Sequence, residues 1–247
     1  MGMPVVVEIA DREGTQELFE EVFAYFSYVD EKFSTYKDTS EITAINRGLV
    51  KEAEYSSDMK QVFTLAEETK RATNGYFDIS NPSGSYDPSG LVKGWAIYYA
   101  AQLLRNRGVS NFYIEIAGDI EVVGHSSSGK PWSIGVQNPF DKKREVVKVM
   151  HLSDKGIATS GLYARGQHIY NPIENKVADG DMVSLTVIGP NIYEADRFAT
   201  AAFAMGRKGI EFIEDLDGFE GYAIDKGGIA TFTSGFNNYT KEQELYV

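Results

Sequence analysis

Asp196 and Thr200 stand four positions apart in the segment EADRFATAAFAMG, whose alanine-rich composition predicts a helix. Side chains at this spacing share one helix face, one turn apart. A carboxylate and a hydroxyl placed in this way are hard oxygen ligands of the kind that Mg²⁺ accepts. The same spacing also fits a half-exposed face on which Asp196 pairs with Arg197 or Lys208, so both interpretations stay open.

Lys93 lies in the segment YDPSGLVKGWAI, three residues after Gly90 and directly before Gly94, where an apolar helix is predicted to begin. The helix dipole disfavours a cation at a helix N-terminus, so a lysine there indicates a nearby anion. The alternative is a lysine that extends its amine to water. The segment is not a Walker A loop, because that motif places Ser or Thr directly after the lysine.

The segment GIATSGLYARGQHIYNP contains two further candidates. Thr159, Ser160 and Gly161 are expected to leave a strand in a turn that could direct hydroxyl and N–H groups at an anion. His168 is one of three histidines, and its side chain titrates near neutrality, which suits a general base. It fits equally a surface position on a strand edge. A triad of Ser160, His168 and Asp196 has no Gly-x-Ser-x-Gly elbow to support it.

A small turn, Ala117-Gly118-Asp119, separates two predicted strands in IEIAGDIEVVG. Two small residues followed by an acid permit close approach of a ligand, and they equally fit an ordinary hairpin.

The composition limits which ligands the chain can hold. Its 247 residues are 43% hydrophobic and 24% charged, as in a soluble globular protein of one domain or two intimate lobes. The formal net charge of −12 disfavours binding to nucleic acid and to anionic membranes. A phosphate ligand would therefore require a local lysine, helix N-termini or a metal cation. The absence of cysteine excludes disulfides, thiolate nucleophiles and Cys-ligated metal sites.

The N-terminal segment MGMPVVVEIA has no basic flank and only a short apolar run, which indicates a first strand and not a signal peptide. No stretch approaches the roughly 20 apolar residues of a membrane span. These features favour a cytoplasmic location, with an exported or periplasmic one if a signal precedes the chain.

Periodicity and turn residues predict the elements that carry these candidates. Helices are expected over residues 17–33, from the Ser40 N-cap through Asn46, and over 57–73, 93–107 and 193–205. Strands are expected at PVVVEIA, NFYIEIAG, IEVVG, WSIGVQ, EVVKVMHL and VSLTVIG, with a closing hairpin in GYAIDKGGIATF. Because helices and strands alternate without a regular βαβ rhythm, the sequence predicts an α+β fold with an antiparallel sheet.

In their order along the chain, FSTYKDTSEITAIN, GYFD, DPSGLVKGWAI, IEIAGDIEV, ATSGLYARGQHIYNP and EADRFATAAFAMG resemble the motifs of the ApbE family, the FAD:protein FMN transferases. The likeness covers nearly the whole chain. It implies a T-fold-related α+β fold, with mixed, largely antiparallel sheets packed with helices, as a single domain over residues 1–247 with the FAD cleft between its lobes.

The resemblance implies a magnesium-dependent reaction with FAD as substrate. A threonine or serine hydroxyl of an acceptor flavoprotein attacks the FMN-side phosphorus, AMP leaves, and FMN stays attached by a phosphoester bond. The alternatives are an FAD pyrophosphatase that gives FMN and AMP, and a non-catalytic FAD-binding protein. The sequence indicates neither the acceptor nor an oligomeric state.

Residue by residue, the resemblance implies that Asp196, Thr200 and the carbonyl of Gly90 bind the metal. Lys93 neutralises pyrophosphate charge, and His168 is the candidate base for the acceptor hydroxyl. The remaining FAD contacts are implied at Asn46, Phe77, Asp78, Asp87, Gly118, Asp119, Ser160 and Ile169.

Three departures from the family pattern bear on these roles. Pro88-Ser89-Gly90 replaces the family's Leu-Gly-Gly before the lysine, which could reshape the loop. Ala117 replaces a glycine and adds a methyl group beside the nucleotide. Asn171 replaces an aspartate near His168, which removes a carboxylate that could support the base. The chain also lacks the lipobox cysteine of the family's exported members.

Overall fold

The fold centres on a seven-stranded sheet in which every neighbouring pair of strands is antiparallel. The computed structural model describes residues 2–11, 14–140, 145–161, 170–178 and 180–240. The strands are β1 (Val5–Ile9), β2 (Phe112–Ile116), β3 (Asp119–Val123), β4 (Trp132–Gln137), β5 (Val146–Leu152), β6 (Lys155–Gly161), β7 (Tyr170–Asn171), β8 (Lys176–Val177), β9 (Met182–Gly189), β10 (Glu220–Asp225) and β11 (Ala230–Phe232). In the seven-stranded sheet the strand order is β1-β2-β3-β6-β9-β10-β11. The predicted α+β class and antiparallel pairing are confirmed.

Six α-helices lie in the described part of the chain, with two short 3₁₀ turns at residues 52–54 and 236–239. They are α1 (Gln16–Phe33), α2 (Glu41–Asn46), α3 (Ser57–Ala72), α4 (Ser89–Asn106), α5 (Ile192–Ala204) and α6 (Lys208–Glu214). Ser40 caps α2 as predicted, because its hydroxyl accepts the N–H of Thr43 at 3.1 Å.

Two predicted boundaries were wrong. Helix α4 begins at Ser89 and not at Lys93, because Pro88 directly precedes its first turn and needs no N–H partner there. Thr159, Ser160 and Gly161 are the last residues of β6 and do not form a turn after it, because they pair with Thr186, Leu185 and Ser184 of β9. Helix α6 was not predicted, since its seven residues are too short to show a periodicity.

The central strands of the sheet lie between two different apolar layers. Phe112, Ile114 and Ile116 of β2 face the layer of helices that includes α1, α4 and α5. Ile120 and Val122 of β3 face the opposite side, where the β4–β5 hairpin covers the sheet. Because both of its faces are covered, every residue of β3 is buried, including the acids Asp119 and Glu121.

No helix among the described residues is long and apolar enough to cross a membrane. The organisation of residues 1–247 as a single domain stays a prediction.

The N-terminus of α5 is anchored by groups from its own cap and from the sheet. Asn191 Oδ1 accepts the N–H of Glu194 at 3.0 Å, and Glu121 Oε2 of β3 accepts the N–H of Ile192 at 2.7 Å. Gly156 of β6 passes so close that an added Cβ would lie 1.9 Å from the Ile192 nitrogen. The helix that carries Asp196 and Thr200 is therefore held at a fixed position against the sheet.

Burial raises the pKa of Glu121 from 4.5 to about 7, although the Ile192 N–H and the charge of Arg105 act in the opposite direction. The folded state holds this proton more tightly than the unfolded chain does. Its contribution to stability is therefore present below about pH 4.5 and is lost as the pH rises to about 7. We expect Glu121→Gln, which resembles the protonated side chain, to gain up to about 1.4 kcal/mol per pH unit over the wild type in that window.

The measurement is urea unfolding of both proteins across the window. Parallel stability curves for the wild type and Glu121→Gln would contradict the assignment.

Candidate active site

A cleft of about 1420 Å³ opens beside the sheet. Its walls come from residues 2–4 before β1, the segment over residues 76–82, the first turns of α4, strands β2, β4 and β6, and helix α5. The predicted site residues that line it are Phe77, Asp78, Asp87, Gly90, Lys93, Gly118, Ser160, Asp196 and Thr200. The sequence therefore identified residues from distant segments that meet in one cleft.

Lys93 and Asp119 form an ion pair at the cleft. The Lys93 Nζ atom lies 2.6 Å from Asp119 Oδ2, and the exposed fractions of the two side chains are 17% and 1%. Asp119 Oδ1 also accepts the N–H of Thr159 at 3.3 Å. Lys93 therefore does not extend its amine to bulk water. Its charge is positioned by a buried carboxylate at the first residue of β3.

Asp196 is buried on α5 and meets both partners of this ion pair. Its Oδ2 atom accepts the N–H of Gly94 at 2.8 Å. Burial and the adjacent charge of Asp119 raise the pKa of Asp196 well above its ordinary value, while Lys93 and the Gly94 N–H oppose the rise. Two adjacent buried carboxyl groups with a single ammonium nearby favour either a shared proton or a further cation.

Thr200 faces the start of α4 from one turn beyond Asp196. Its hydroxyl donates to the Gly90 carbonyl at 3.4 Å. The expected pairing of Asp196 with Arg197 does not form, because Arg197 binds Glu194 at 2.6 Å.

Three hard oxygen ligands thus converge at this point: the Asp196 carboxylate, the Thr200 hydroxyl and the Gly90 carbonyl. They fit Mg²⁺ chemically, because a divalent cation would replace the proton that the buried carboxyl pair otherwise needs. No three acidic or histidine side chains of the described residues are grouped as a complete metal site. The ion would therefore keep positions for water and for phosphate oxygens.

Asp87 and Asn46 organise the segment that leads into α4. Asp87 Oδ1 accepts the N–H of Ser89, the first residue of the helix, at 3.0 Å. Asn46 binds the backbone of Tyr86 twice, donating to its carbonyl at 2.9 Å and accepting its N–H at 2.7 Å. Asn46 lines a smaller neighbouring hollow and not the cleft itself. Asn46 thus holds the segment before Asp87, and its contact with FAD stays a prediction.

Phe77 and Asp78 line the cleft next to Gly90. Phe77 is buried, and its ring would lie 3.4 Å from a Cβ added at Gly90. Asp78 Oδ2 lies 2.7 Å from Lys70 Nζ. Burial alone would raise the pKa of Asp78, but the hydrogen bonds from Lys70 and from the Ser80 N–H lower it below its ordinary value. This carboxylate therefore stays ionised.

The other residues named from the sequence lie in different places. Ser160 is buried within β6, beside Thr159, whose hydroxyl lies 2.8 Å from that of Thr186. His168 and Ile169 lie outside the described residues. Asn171 is buried, and it donates its amide to the Ala204 carbonyl at 3.0 Å, which gives it a structural partner on α5.

The sequence did not predict the wall formed by Tyr113, Glu115 and strand β4. The Tyr113 hydroxyl donates to Glu115 Oε2 at 2.5 Å, and the Tyr113 ring packs on Trp132 at 5.7 Å between centroids. Burial and Glu115 raise the pKa of Tyr113, so its phenol stays protonated. The alternation of polar and apolar residues in FYIEI was the signal that these two side chains face the side opposite the helices.

The antiparallel sheet, its helix layer and the cleft beside the sheet define an ApbE-type fold. A flavin transferase ApbE from Vibrio cholerae superposes with a TM-score of 0.84 at 22% identity, covering 97% of this chain and 96% of that chain. The ApbE protein from Thermotoga maritima gives a TM-score of 0.84 at 21% identity, covering 98% and 97%.

The sequence model of the ApbE family matches residues 1–83 and 80–223, and the chain belongs to this family. The FAD:protein FMN transferase of Escherichia coli K12 is 29% identical over 161 residues, which are 62% of this chain and 46% of the relative. The FAD:protein FMN transferase of Haemophilus influenzae is 23% identical over 295 aligned positions, covering 93% and 85%. The chain spans about half the length of several curated relatives that it matches, the Escherichia coli protein among them.

Gly94 sets the separation between α4 and α5. A Cβ at this position would lie 2.6 Å from Asp196 Cβ and 2.8 Å from the Ile192 carbonyl oxygen, so the helices would have to move apart. We expect Gly94→Ala to lower the free energy of unfolding by about 1–3 kcal/mol, measured by urea denaturation.

Gly90→Ala is the matched control within the same helix, because its Cβ would meet Thr200 Cγ2 at 3.2 Å and no atom more closely. We expect its stability to stay within about 1 kcal/mol of the wild type, since alanine also favours the helix. Equal losses in both variants would contradict the role of Gly94.

Ala117 adopts a backbone conformation that favours glycine. Its φ is +51° and that of Gly118 is +93°, so the turn between β2 and β3 has two consecutive left-handed residues. The left-handed region costs about 1–2 kcal/mol for a residue with a Cβ. We expect Ala117→Gly to raise the free energy of unfolding by about 1 kcal/mol in thermal or urea unfolding. A loss of stability would show that the methyl group makes a compensating contact.

Proposed function

We propose that this protein is a magnesium-dependent FAD:protein FMN transferase, which attaches FMN through a phosphoester bond to a threonine or serine of an acceptor flavoprotein and releases AMP. Membership of the ApbE family and the names of the curated relatives support the proposal. The cytoplasmic location that the sequence favours stays a prediction.

The observation that carries the proposal is the convergence of Lys93, Asp119, Asp196 and Thr200 with the Gly90 carbonyl in one cleft. A chain with a net charge of −12 needs local positive charge to hold a pyrophosphate. Lys93 supplies one such charge, and the oxygen ligands opposite it suit a divalent cation.

Asp196, Thr200 and the Gly90 carbonyl would hold the Mg²⁺ ion. When bound, this ion supplies Lewis-acid stabilisation of the charge that develops on phosphate oxygens. Without the ion, burial and the neighbouring charge of Asp119 raise the pKa of the Asp196 carboxyl group. We therefore expect the carboxyl groups of this site to release a proton when the cation binds together with the substrate.

Lys93 positions and neutralises the pyrophosphate of FAD, because Asp119 holds its ammonium at 2.6 Å in the cleft. The acceptor hydroxyl oxygen forms a bond to the FMN-side phosphorus. The bond from that phosphorus to the bridging oxygen breaks, and AMP leaves with that oxygen. His168 is the proposed base that takes the hydroxyl proton, and the proton is finally carried by the released phosphate or by water.

We expect Asp196→Asn and Thr200→Val to reduce Mg²⁺-dependent turnover by roughly 100-fold or more, because each removes an oxygen that would bind the ion. The assay incubates the protein with FAD, Mg²⁺ and a synthetic peptide that carries an aspartate and a following threonine. Chromatography with mass spectrometry then measures AMP, free FMN and flavin-labelled peptide.

Asp38→Asn is the matched control, since this carboxylate is 86% exposed and lies outside the cleft. Labelled peptide with AMP supports transfer. AMP with free FMN and unlabelled peptide would indicate FAD hydrolysis, and intact FAD would leave only binding. Wild-type turnover in Asp196→Asn would contradict the metal assignment.

A further inference from the structure

Strand β4 runs along the cleft, and none of the strands in the described part of the chain covers one of its edges. It pairs with β5 on one side, and its residues Ser133, Gly135 and Gln137 line the cleft. Sheet order places no strand on its other side in the described ranges 2–11, 14–140, 145–161, 170–178 and 180–240. This edge presents unpaired N–H and C=O groups, which are a template for adding a further strand.

The register identifies which backbone groups point to the open edge. In an antiparallel pair, alternate residues direct their N–H and C=O groups at the partner strand and away from it. The N–H of Asn138 donates to the Glu145 carbonyl at 2.8 Å, which continues the ladder with β5. The pairing shifts between Val136 and Gln137, but the extra residue lies in β5, so the alternation along β4 itself continues. Every second residue back from Asn138 therefore faces β5, and the residues between them face away: Ser133, Gly135 and Gln137.

The side-chain positions agree with this alternation along β4. Ser133 lies opposite His151, and its hydroxyl is 3.1 Å from His151 Nδ1. Such close side chains are typical of a non-hydrogen-bonded pair, in which both residues direct their backbone groups outward. Within the described part of the chain, the backbone of Ser133, Gly135 and Gln137 makes no hydrogen bond to any segment outside the hairpin.

The edge is also sterically open. Ser133 is exposed and small, so another backbone can approach it closely. Gly135 is also exposed, although the Val146 side chain lies over its face, 2.8 Å from the position of an added Cβ. Two apolar side chains of the same hairpin, Phe140 and Val146, line the cleft and are 54% and 53% exposed. They offer apolar contacts to whatever chain lies along β4.

The cleft has room for two occupants. Its volume of about 1420 Å³ exceeds the roughly 300–1,000 Å³ of small-molecule sites. A transfer reaction requires a nucleotide and a polypeptide hydroxyl in the same cleft. The open edge of β4 and the Lys93–Asp196 cluster belong to one continuous cavity lining.

We propose that the acceptor protein docks as an extended segment that adds to the open edge of β4, and that this pairing guides its threonine or serine into the cleft. Backbone hydrogen bonds from Ser133, Gly135 and Gln137 would hold the segment with little demand on its sequence. The inference rests on the proposed function, because it names the way in which that reaction receives its second substrate.

The first test measures how tightly the protein binds a fluorescein-labelled peptide that carries an aspartate and, after it, a threonine. Binding is measured by fluorescence anisotropy in the presence of FAD and Mg²⁺. A series of peptides carries one backbone N-methyl group at each position in turn. We expect methylation to weaken binding by about tenfold at every second position, because only alternate N–H groups face β4. The intervening positions change far less.

The second test places proline on the protein. Ser133→Pro removes an N–H from the open edge without removing one that bonds to β5. Its matched control is Val149→Pro, since Val149 is 44% exposed and directs its backbone away from β4 on the hairpin's opposite edge. We expect Ser133→Pro to weaken peptide binding by about tenfold and Val149→Pro to change it far less.

The outcomes separate this inference from the proposed function. If N-methylation weakens peptide binding at every second position and Ser133→Pro also weakens it, docking on β4 is supported. If no flavin transfer follows in that case, the proposed reaction is contradicted and the docking is not. No peptide binding, uniform sensitivity to N-methylation, or equal effects of the two prolines would overturn the docking. A loss of FAD affinity in Ser133→Pro with peptide affinity kept would assign the edge to the nucleotide and overturn it as well.

Discussion

The burial of Asp196 against Asp119 is the constraint on which the site depends. Two carboxyl groups in contact inside a protein need positive charge or a shared proton. Lys93 provides part of that charge from α4, and the Gly94 N–H provides a hydrogen bond from the next residue. Both groups reach Asp196 only because α4 and α5 pack so closely that position 94 has no space for a Cβ.

This close packing also explains the arrangement around it. The N-terminus of α5 is held by Glu121 and Asn191, so the helix cannot move away from the sheet to relieve its buried acid. The start of α4 is held through Asp87 and, one residue earlier, through the two hydrogen bonds of Asn46 to Tyr86. The charges of the cleft are therefore fixed by elements that lie outside it.

Patterns confined to one element were predicted well from the sequence. The spacing of Asp196 and Thr200 defines their common face because it is a property of the helix itself. Small, polar turns between alternating strands gave the antiparallel sheet, and the order of the motifs gave the family. The placement of Lys93, Gly90, Asp87 and Phe77 in one cleft followed from that resemblance and not from local periodicity.

Local sequence patterns could not predict which side chains pair with each other across the fold. Nothing near Lys93 in the sequence indicates Asp119, because the pair forms only when α4 packs on β3. The extension of α4 back to Ser89 was missed because Pro and Gly usually mark a loop, yet the first helical turn tolerates both. The orientation of Asn46 toward the Tyr86 backbone depends likewise on how α2 meets that segment.

The two-sided role of β2 also limits how related sequences can differ in length. Phe112, Ile114 and Ile116 face the helices, while Tyr113 and Glu115 face the cleft. A single inserted or deleted residue within this strand would exchange the two sets, placing a carboxylate among the helices and an apolar row in the cleft. Insertions and deletions among homologues should therefore fall outside β2, at positions where no strand has to keep both its faces in step.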